Sequence, residues 1–172
     1  MGIDLFSIPH FFKEKETMVE EFKTLRDDEI EVLLNAPVLV SILIAGADDK
    51  IDEDEMNQAV EIANSKQSRA REQLIDYYRE VGKDFPVKFK AFVEKLPSGR
   101  EARVEEITKE LRKLNHILPK IDHAFAVKLY ASLRDMAKKV AEASGGILGY
   151  MSVSYDEAKL MELGMIDNPE KY

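Results

Sequence analysis

Apolar residues recur at intervals of three and four positions along most of this chain, which is the spacing of an amphipathic α-helix. Clean alternation over five or six residues, the pattern of a half-buried strand, does not occur, and neither does an Asn-Gly or Asp-Gly hairpin turn. The spacing predicts helices along these stripes: Phe11 to Leu25, Ile30 to Ile42, Met56 to Ala63, Leu74 to Val81, Phe85 to Leu96, Val104 to Leu118, Phe125 to Val140 and Ala158 to Leu163. We therefore predict an all-α fold, a single compact bundle of seven to eight helices.

Capping residues and one proline place several helix ends. We expect Asp27 or Asp28 to cap the helix that carries Ile30, Asp52 to cap the next one, and Ser98 to cap a later one. Pro37 lies inside an apolar stripe, and a proline there lacks the N–H that an interior helical residue donates. The sequence therefore predicts a kink or a break at Pro37.

The length of 172 residues is that of one domain. Hydrophobic residues make up 45% of the chain and charged residues 34%, so wholesale disorder is excluded. We predict one domain over residues 1–172, with residues 1–12 as an accessory segment and residues 167–172 as a frayed tail. The apolar N-terminal segment is expected to pack on the bundle, and the alternative is an amphipathic anchor for a partner helix or a membrane surface.

Charge and cysteine content exclude several functional classes. The net charge is −8 and no basic stripe occurs, so nucleic acid is not an expected partner. The absence of cysteine excludes disulfides, thiolate zinc sites and cysteine nucleophiles. The longest apolar run, Pro37 to Ala47, is about half of the ~20 residues that a membrane span needs. We expect no transmembrane segment, no signal peptide and a cytoplasmic location.

Two segments about a hundred residues apart share one pattern: small residues, a turn, an aliphatic residue, a capping residue and a glutamate three places later. The first contains the carboxylates of Asp48, Asp49, Asp52 and Glu55. The second follows a glycine-rich loop and contains the carboxylates of Asp156 and Glu157. This repetition indicates an internal duplication of a helix–loop–helix unit.

Helix capping explains part of the acidic pattern. Asp52-x-x-Glu55 and Ser154-x-x-Glu157 both fit a capping box, in which the two side chains satisfy free N–H groups at a helix start. Asp48 and Asp49 instead follow the C-terminal end of a helix, where the helix dipole disfavours anions. Carboxylate oxygens are hard ligands that suit Ca²⁺ or Mg²⁺. We therefore hypothesise a divalent-cation site at the acidic residues of both segments.

The first segment, Ala47 to Glu55, resembles the signature of the TerB-like family, which is named for tellurite resistance, and the upstream run Asn35 to Val40 is also similar. The resemblance implies an all-helical, internally duplicated fold with an acidic surface site for divalent cations and no established enzymatic activity. It also implies a role in stress-response or membrane-associated assemblies. Asp49 stands where the family often has glycine, and Ser144 stands where the second loop would have aspartate. A role in tellurite resistance does not follow from it.

Two further surfaces bear on function. The glycine-rich loop carries four large apolar residues, which either fold back on the core or form a patch for a partner or for self-association: Ile147, Leu148, Tyr150 and Met151. The mixed-charge run from Glu101 to Lys113 is expected to be a solvated helix face. The leading interpretation is a non-enzymatic, TerB-like module that binds a protein partner and Ca²⁺ or Mg²⁺. The alternatives are a purely structural or homodimerising domain without metal and, third, an acid–base enzyme or small-ligand binder.

Overall fold

The computed structural model describes residues 19–46, 51–70, 72–143 and 159–172. Across these four ranges the backbone forms helices and turns and no strand, so the predicted all-α fold is confirmed. Seven α-helices lie wholly within them: α1 (Asp27–Ala45), α2 (Glu53–Arg69), α3 (Glu72–Gly82), α4 (Phe85–Lys95), α5 (Arg100–Arg112), α6 (Leu114–Ile117) and α7 (His123–Ala143). Short 3₁₀ turns cover Glu20–Phe22, Leu118–Lys120 and Pro169–Lys171.

Helix α1 is the centre of the bundle. It packs against each of the six other α-helices, and every residue from Asn35 to Ala45 is buried. A helical stretch that is apolar on all sides belongs in a core, and the part of α1 from Ala36 to Ala45, in which Ser41 is the one polar residue, satisfies that condition. The remaining helices, of which α7 is the longest, surround it and share one hydrophobic core with it.

Pro37 does not break α1, so of the kink or break predicted there, the break is wrong. The missing proline N–H would have been donated to the carbonyl oxygen of Leu33, four residues earlier. The buried hydroxyl of Tyr77 in α3 donates to that oxygen instead, at 2.7 Å. The Ser41 hydroxyl donates to the Pro37 carbonyl oxygen at 2.8 Å, one turn further along. A side chain from another helix therefore replaces the lost backbone hydrogen bond.

Aromatic rings join α3 and α7 to the segment that precedes α1. Phe22, Tyr77 and Phe125 meet edge to face, with centroid separations of 6.1–6.4 Å, and Tyr77 also meets Tyr78 at 5.0 Å. All four rings are buried. Edge-to-face aromatic pairs contribute about 0.5–1.5 kcal/mol beyond the burial of their area. This cluster holds Phe22 on the bundle, in a 3₁₀ turn over Glu20–Phe22 where the apolar spacing predicts an α-helix. The earlier part of that predicted helix, residues 11–18, lies outside the described residues.

Several helix ends differ from their predicted positions. Arg26, and neither Asp27 nor Asp28, is the N-cap of α1, because the Glu29 carboxylate accepts a hydrogen bond from the Arg26 backbone N–H at 3.0 Å. Gly99, and not Ser98, is the N-cap of α5. The single helix predicted through Val104 to Leu118 is divided into α5, α6 and a 3₁₀ turn.

The C-terminal residues are held by hydrogen bonds. Residues 159–161 are helical, in the predicted last helix, and Leu163, whose φ is 52°, lies just past the end of that helix. The N–H groups of Gly164 and Leu163 donate to the carbonyl oxygens of Lys159 and Leu160 at 3.0 Å each, which is the Schellman pattern. Leu163 occupies the left-handed position, usually a glycine, and its side chain is fully buried. Residues 169–171 pack against α7.

Candidate functional site

The start of α2 contains the two predicted site residues that the structure describes, and they form the predicted capping box. Asp52 is the N-cap, and its Oδ1 accepts a hydrogen bond from the Glu55 backbone N–H at 2.8 Å. Glu55 Oε2 accepts one from the Asp52 backbone N–H at 3.0 Å. Each carboxylate therefore satisfies an N–H group at the helix start that has no partner within the helix.

The end of α1 is closed by an arginine that sequence reasoning missed. The Arg103 guanidinium from α5 donates to the carbonyl oxygen of Gly46 at 2.7 Å, and its Nη1 lies 3.5 Å from the carbonyl oxygen of Ser98. A positive charge at this position also interacts favourably with the negative, C-terminal end of the α1 dipole. A Cβ atom on Gly46 would lie 3.0 Å from Arg103 Nε and 2.8 Å from the Ile42 carbonyl oxygen, so this position requires glycine.

The burial of Arg103 corrects the prediction that Glu101 to Lys113 is a solvated face. Arg103 is 6% exposed and Glu110 is 7% exposed, so α5 buries two charged side chains. Arg103 lies four residues before Ile107, which is itself fully buried. A charged residue in register with an apolar stripe is the signal that could have indicated its burial.

The other predicted site residues lie outside the described residues. These are the acidic residues Asp48, Asp49, Asp156 and Glu157, and the apolar residues Ile147, Leu148, Tyr150 and Met151. Within the part of the chain that the structure describes, no three His, Cys, Asp or Glu side chains form a group that could hold a metal ion. The fit of a cation to the described residues therefore depends on Asp52 and Glu55, each of which already has one oxygen in the capping box.

A second polar cluster, which we call the Lys66 cluster, lies where α2, α3 and α7 meet; it consists of Lys66, Tyr78, Ser132, Asp135 and Lys139. The Lys66 ammonium donates to Ser132 Oγ at 3.1 Å and to Asp135 Oδ2 at 2.8 Å. The Tyr78 hydroxyl and Ser132 Oγ share a hydrogen bond of 2.6 Å. Lys139 forms an ion pair with Asp135 Oδ2 at 2.9 Å. One carboxylate thus lies between two amines.

Burial and hydrogen bonds together decide the protonation states of this cluster. The Lys66 side chain is 7% exposed, and burial lowers the pKa of its amine, although the hydrogen bond to Asp135 opposes that shift. Burial also raises the pKa of the Tyr78 hydroxyl. For Asp135, burial acts to raise the pKa, but hydrogen bonds from Lys139 and Lys66 outweigh it and lower the pKa. Asp135 is therefore ionised and Tyr78 neutral around pH 7.

The sequence contains a weak signal for this cluster. Lys66 continues the apolar stripe of α2 three positions after the buried Ala63, where an exposed lysine would not be expected. The partner residues Ser132 and Asp135 lie 66 and 69 positions away along the chain. Their proximity to Lys66 follows from the packing of α2 on α7 and is not visible in the local pattern.

Comparison with known proteins found no matching family model, no matching curated protein and no matching solved structure. The resemblance to the TerB-like family therefore stays a prediction that depends on the motif from Ala47 to Glu55. Among the residues placed by the structure, none of the helices is both long enough and apolar enough to cross a membrane.

Proposed function

We propose that this protein is a non-enzymatic helical binding module whose contact surface is the acidic segment from Asp48 to Glu55. The observation that carries the proposal is the anchoring of both ends of that segment. Arg103 holds the last carbonyl of the preceding helix at Gly46, and the reciprocal Asp52–Glu55 capping box holds the start of α2. Gly46 and Asp52, which flank Asp48 and Asp49 in the sequence, are therefore both held by hydrogen bonds, and fixed flanking residues lower the entropy that a segment loses on binding.

The chemistry of the segment favours a cationic partner. Six acidic residues and one lysine lie between positions 48 and 55. Carboxylates at this density repel one another unless water screens them or a cation lies between them. Ca²⁺ takes about six to eight oxygen ligands and Mg²⁺ about six, with water completing the shell. The candidate protein ligands are Asp48, Asp49, Asp52 and Glu55, together with Asp156 and Glu157 of the second segment. A basic surface on a protein partner would satisfy the same charges.

A resident cation would connect the segment to an assembly. Binding of Ca²⁺ or Mg²⁺ would neutralise part of the segment and set the geometry of the two helices that flank it. A protein partner would then recognise the cation-bound surface. Membership of a stress-response or membrane-associated assembly, with association at a membrane surface, belongs to the same proposal and is supported only by the motif resemblance described above.

The test is the thermal stability of chelator-stripped protein with Ca²⁺, Mg²⁺ or Zn²⁺ added at constant ionic strength. An ion at 100 times its dissociation constant stabilises the native state by about 2.7 kcal/mol, which raises the melting temperature of a chain this long by a few degrees. The test variant is Asp48→Asn with Asp52→Asn, because asparagine caps a helix about as well as aspartate. The matched control, Glu72→Gln with Asp76→Asn in α3, removes the same charge elsewhere.

The proposed cation site is supported if one ion raises the melting temperature of the wild type and of the control but not of the test variant. It is overturned if no ion changes the melting temperature, or if the test variant responds as the wild type does. A concentration-dependent mass in light scattering together with no cation effect would favour the alternative, a homodimerising domain without metal. The glycine-rich loop residues Ile147, Leu148, Tyr150 and Met151 would then be the first to substitute.

A further inference from the structure

The Lys66 cluster contains a serine hydroxyl held between an amine and a phenol. Ser132 Oγ lies 3.1 Å from Lys66 Nζ and 2.6 Å from the Tyr78 hydroxyl oxygen. Lys66 Nζ also lies 5.4 Å from the centroid of the Tyr78 ring. Three helices contribute these groups, which fixes their mutual positions more firmly than neighbouring residues of one loop would be fixed.

Lys66 is oriented by a third group. Asp135 Oδ2 accepts a hydrogen bond from Lys66 Nζ at 2.8 Å and lies on the same helix as Ser132, three residues later. A nucleophile within hydrogen-bond reach of a base, with the base oriented by a further polar group, is the arrangement that activates serine in acyl-transfer chemistry. In this arrangement Ser132 is the nucleophile, Lys66 is the base and Asp135 is the group that orients the base.

Access also differs between the members of this arrangement. Lys66 and Tyr78 are buried, whereas Ser132 is partly exposed on α7. Ser132 is therefore the more accessible of these three residues, and the Lys66 amine lies deeper in the bundle. The side chains of Asp135 and Lys139 are 45% and 46% exposed, so the charged groups beside Ser132 reach solvent as well.

We propose that Ser132 is a nucleophilic serine that accepts a covalent group from activated acyl or phosphonyl donors, with Lys66 as the base. In the reaction with an activated ester, a bond forms between Ser132 Oγ and the carbonyl carbon, and the bond from that carbon to the leaving oxygen breaks. The Ser132 proton passes to the neutral amine of Lys66 and then to the leaving group. The product is an ester of Ser132, and no turnover is required.

The reaction needs Lys66 in its neutral form, and the surroundings determine when that form exists. The charged and titratable groups that face Lys66 are Tyr78 from α3 and Asp135 and Lys139 from α7. Burial and the charge of Lys139 favour the neutral amine, whereas Asp135 favours the ammonium. The rate of adduct formation should therefore rise with pH, about tenfold per unit while Lys66 is mostly protonated, and then level off.

The experiment uses a fluorophosphonate probe on the full chain, with the labelled residue located by peptide mass spectrometry. In this reaction the Oγ–P bond forms, the P–F bond breaks, fluoride leaves and Lys66 takes the proton. The variants are Ser132→Ala, which removes the nucleophile, and Lys66→Arg, which keeps the positive charge but cannot act as a base. Ser68→Ala is the matched control, because Ser68 is an exposed serine on α2.

The expected result is one label per chain at Ser132, lost in Ser132→Ala, at least tenfold slower in Lys66→Arg and unchanged in Ser68→Ala. Asp135→Asn should shift the pH profile of labelling to lower pH, because the amine loses the carboxylate that favours its charged form. The proposal is overturned if folded wild type labels no faster at Ser132 than at Ser68, or if labelling is independent of pH. It is independent of the proposed cation site, since Lys66 lies near the opposite end of α2 from Asp52, Ser132 lies on α7, and the reaction involves no metal ion.

Discussion

The hydroxyl of Tyr77 donates a 2.7 Å hydrogen bond to the carbonyl oxygen of Leu33, the oxygen that Pro37 leaves without its helical donor. The two residues are 44 positions apart, and Tyr77 is fully buried. Burial, together with the nearby Tyr78, raises the pKa of Tyr77 well above its usual value, so the hydroxyl keeps its proton and remains a donor. A proline in the central helix is therefore compensated by a tyrosine from α3.

Tyr77→Phe should remove this donor while keeping the ring. The Leu33 carbonyl oxygen would then be buried without a partner, and the free energy of unfolding should fall by about 1–3 kcal/mol. Pro37→Ala restores a backbone N–H at the right position, so Tyr77→Phe should cost less than about 1 kcal/mol in that background. Urea denaturation of the wild type, both single variants and the double variant gives the coupling energy.

Tyr130→Phe is the control for this double-mutant comparison. The Tyr130 hydroxyl makes a longer hydrogen bond of 3.4 Å to the Glu162 carbonyl oxygen, which does not involve Pro37. The cost of Tyr130→Phe should be the same with and without Pro37→Ala. If the costs of Tyr77→Phe and Pro37→Ala simply add, Tyr77 does not compensate for the proline and this explanation of the unbroken helix is wrong.

Arg103→Met should destabilise the end of α1. The variant keeps most of the side-chain volume but leaves the Gly46 carbonyl oxygen without the guanidinium that donates to it. The free energy of unfolding should fall by about 1.5–3 kcal/mol, the range for hydrogen bonds to charged groups. The measurement is chemical denaturation. Arg112→Met, an exposed arginine on the same helix, is the control and should change stability by less than about 0.5 kcal/mol. Equal effects of the two variants would contradict the capping role.

Glu29 should make stability depend on pH in the acid range. A hydrogen bond from the Lys120 amine and another from the Arg26 backbone N–H lower the pKa of the Glu29 carboxyl, while burial opposes the shift. A carboxylate with a lowered native pKa stabilises the native state above its unfolded pKa of about 4.3. That contribution is lost as the pH falls through the lowered native value.

Glu29→Gln should therefore be less stable than the wild type at pH 7, and the difference should shrink as the pH is lowered from 5 to 2. Denaturant titrations at several pH values measure this. Glu94 is exposed, and the free energy of unfolding of the Glu94→Gln control should differ from that of the wild type by a constant amount at all these pH values. A difference between Glu29→Gln and wild type that stays constant with pH would show that the Lys120 contact does not depend on the carboxylate charge.

Two substitutions of Asp52 distinguish its role in helix capping from a role in cation binding. Without added cation, Asp52→Ala should lower the free energy of unfolding by about 1 kcal/mol, because the Glu55 N–H loses its acceptor. Asp52→Asn should cost only a few tenths, since the amide oxygen can accept the same hydrogen bond. Thermal or urea denaturation in the presence of a chelator checks both. Should the two variants prove equally destabilised, the charge of Asp52 and not its cap would be what stabilises α2.

Much of the fold could be predicted because the pattern of apolar positions depends on local geometry. The stripe from Phe125 to Val140 predicts α7, and the aspartate and glutamate at Asp52-x-x-Glu55 predict the start of α2 and its hydrogen bonds. Helix ends are less well predicted where a tertiary contact decides them. Leu163, rather than the next residue Gly164, takes the left-handed position at the end of the last helix, and its side chain is fully buried.

The polar groups of the interior could not be predicted in the same way. The side chains of Lys66, Arg103 and Glu29 all have hydrogen-bond partners far along the chain, and a periodic pattern does not identify such partners. The pattern predicts which face of a helix is apolar. Burial of a charged group within that face needs a specific partner at hydrogen-bond distance, since an unpaired buried charge is strongly unfavourable.

By itself the sequence determined an all-α chain and the capping box at the start of α2, since both follow from residue type and spacing of three or four positions. Only the tertiary structure decided that α1 continues through Pro37 and that Arg103 closes its end. It also decided that Ser132 meets Lys66 and Tyr78. Each of these depends on a side chain from another helix, because a carbonyl, a hydroxyl or an amine in the interior must find its partner wherever packing brings one within about 3 Å.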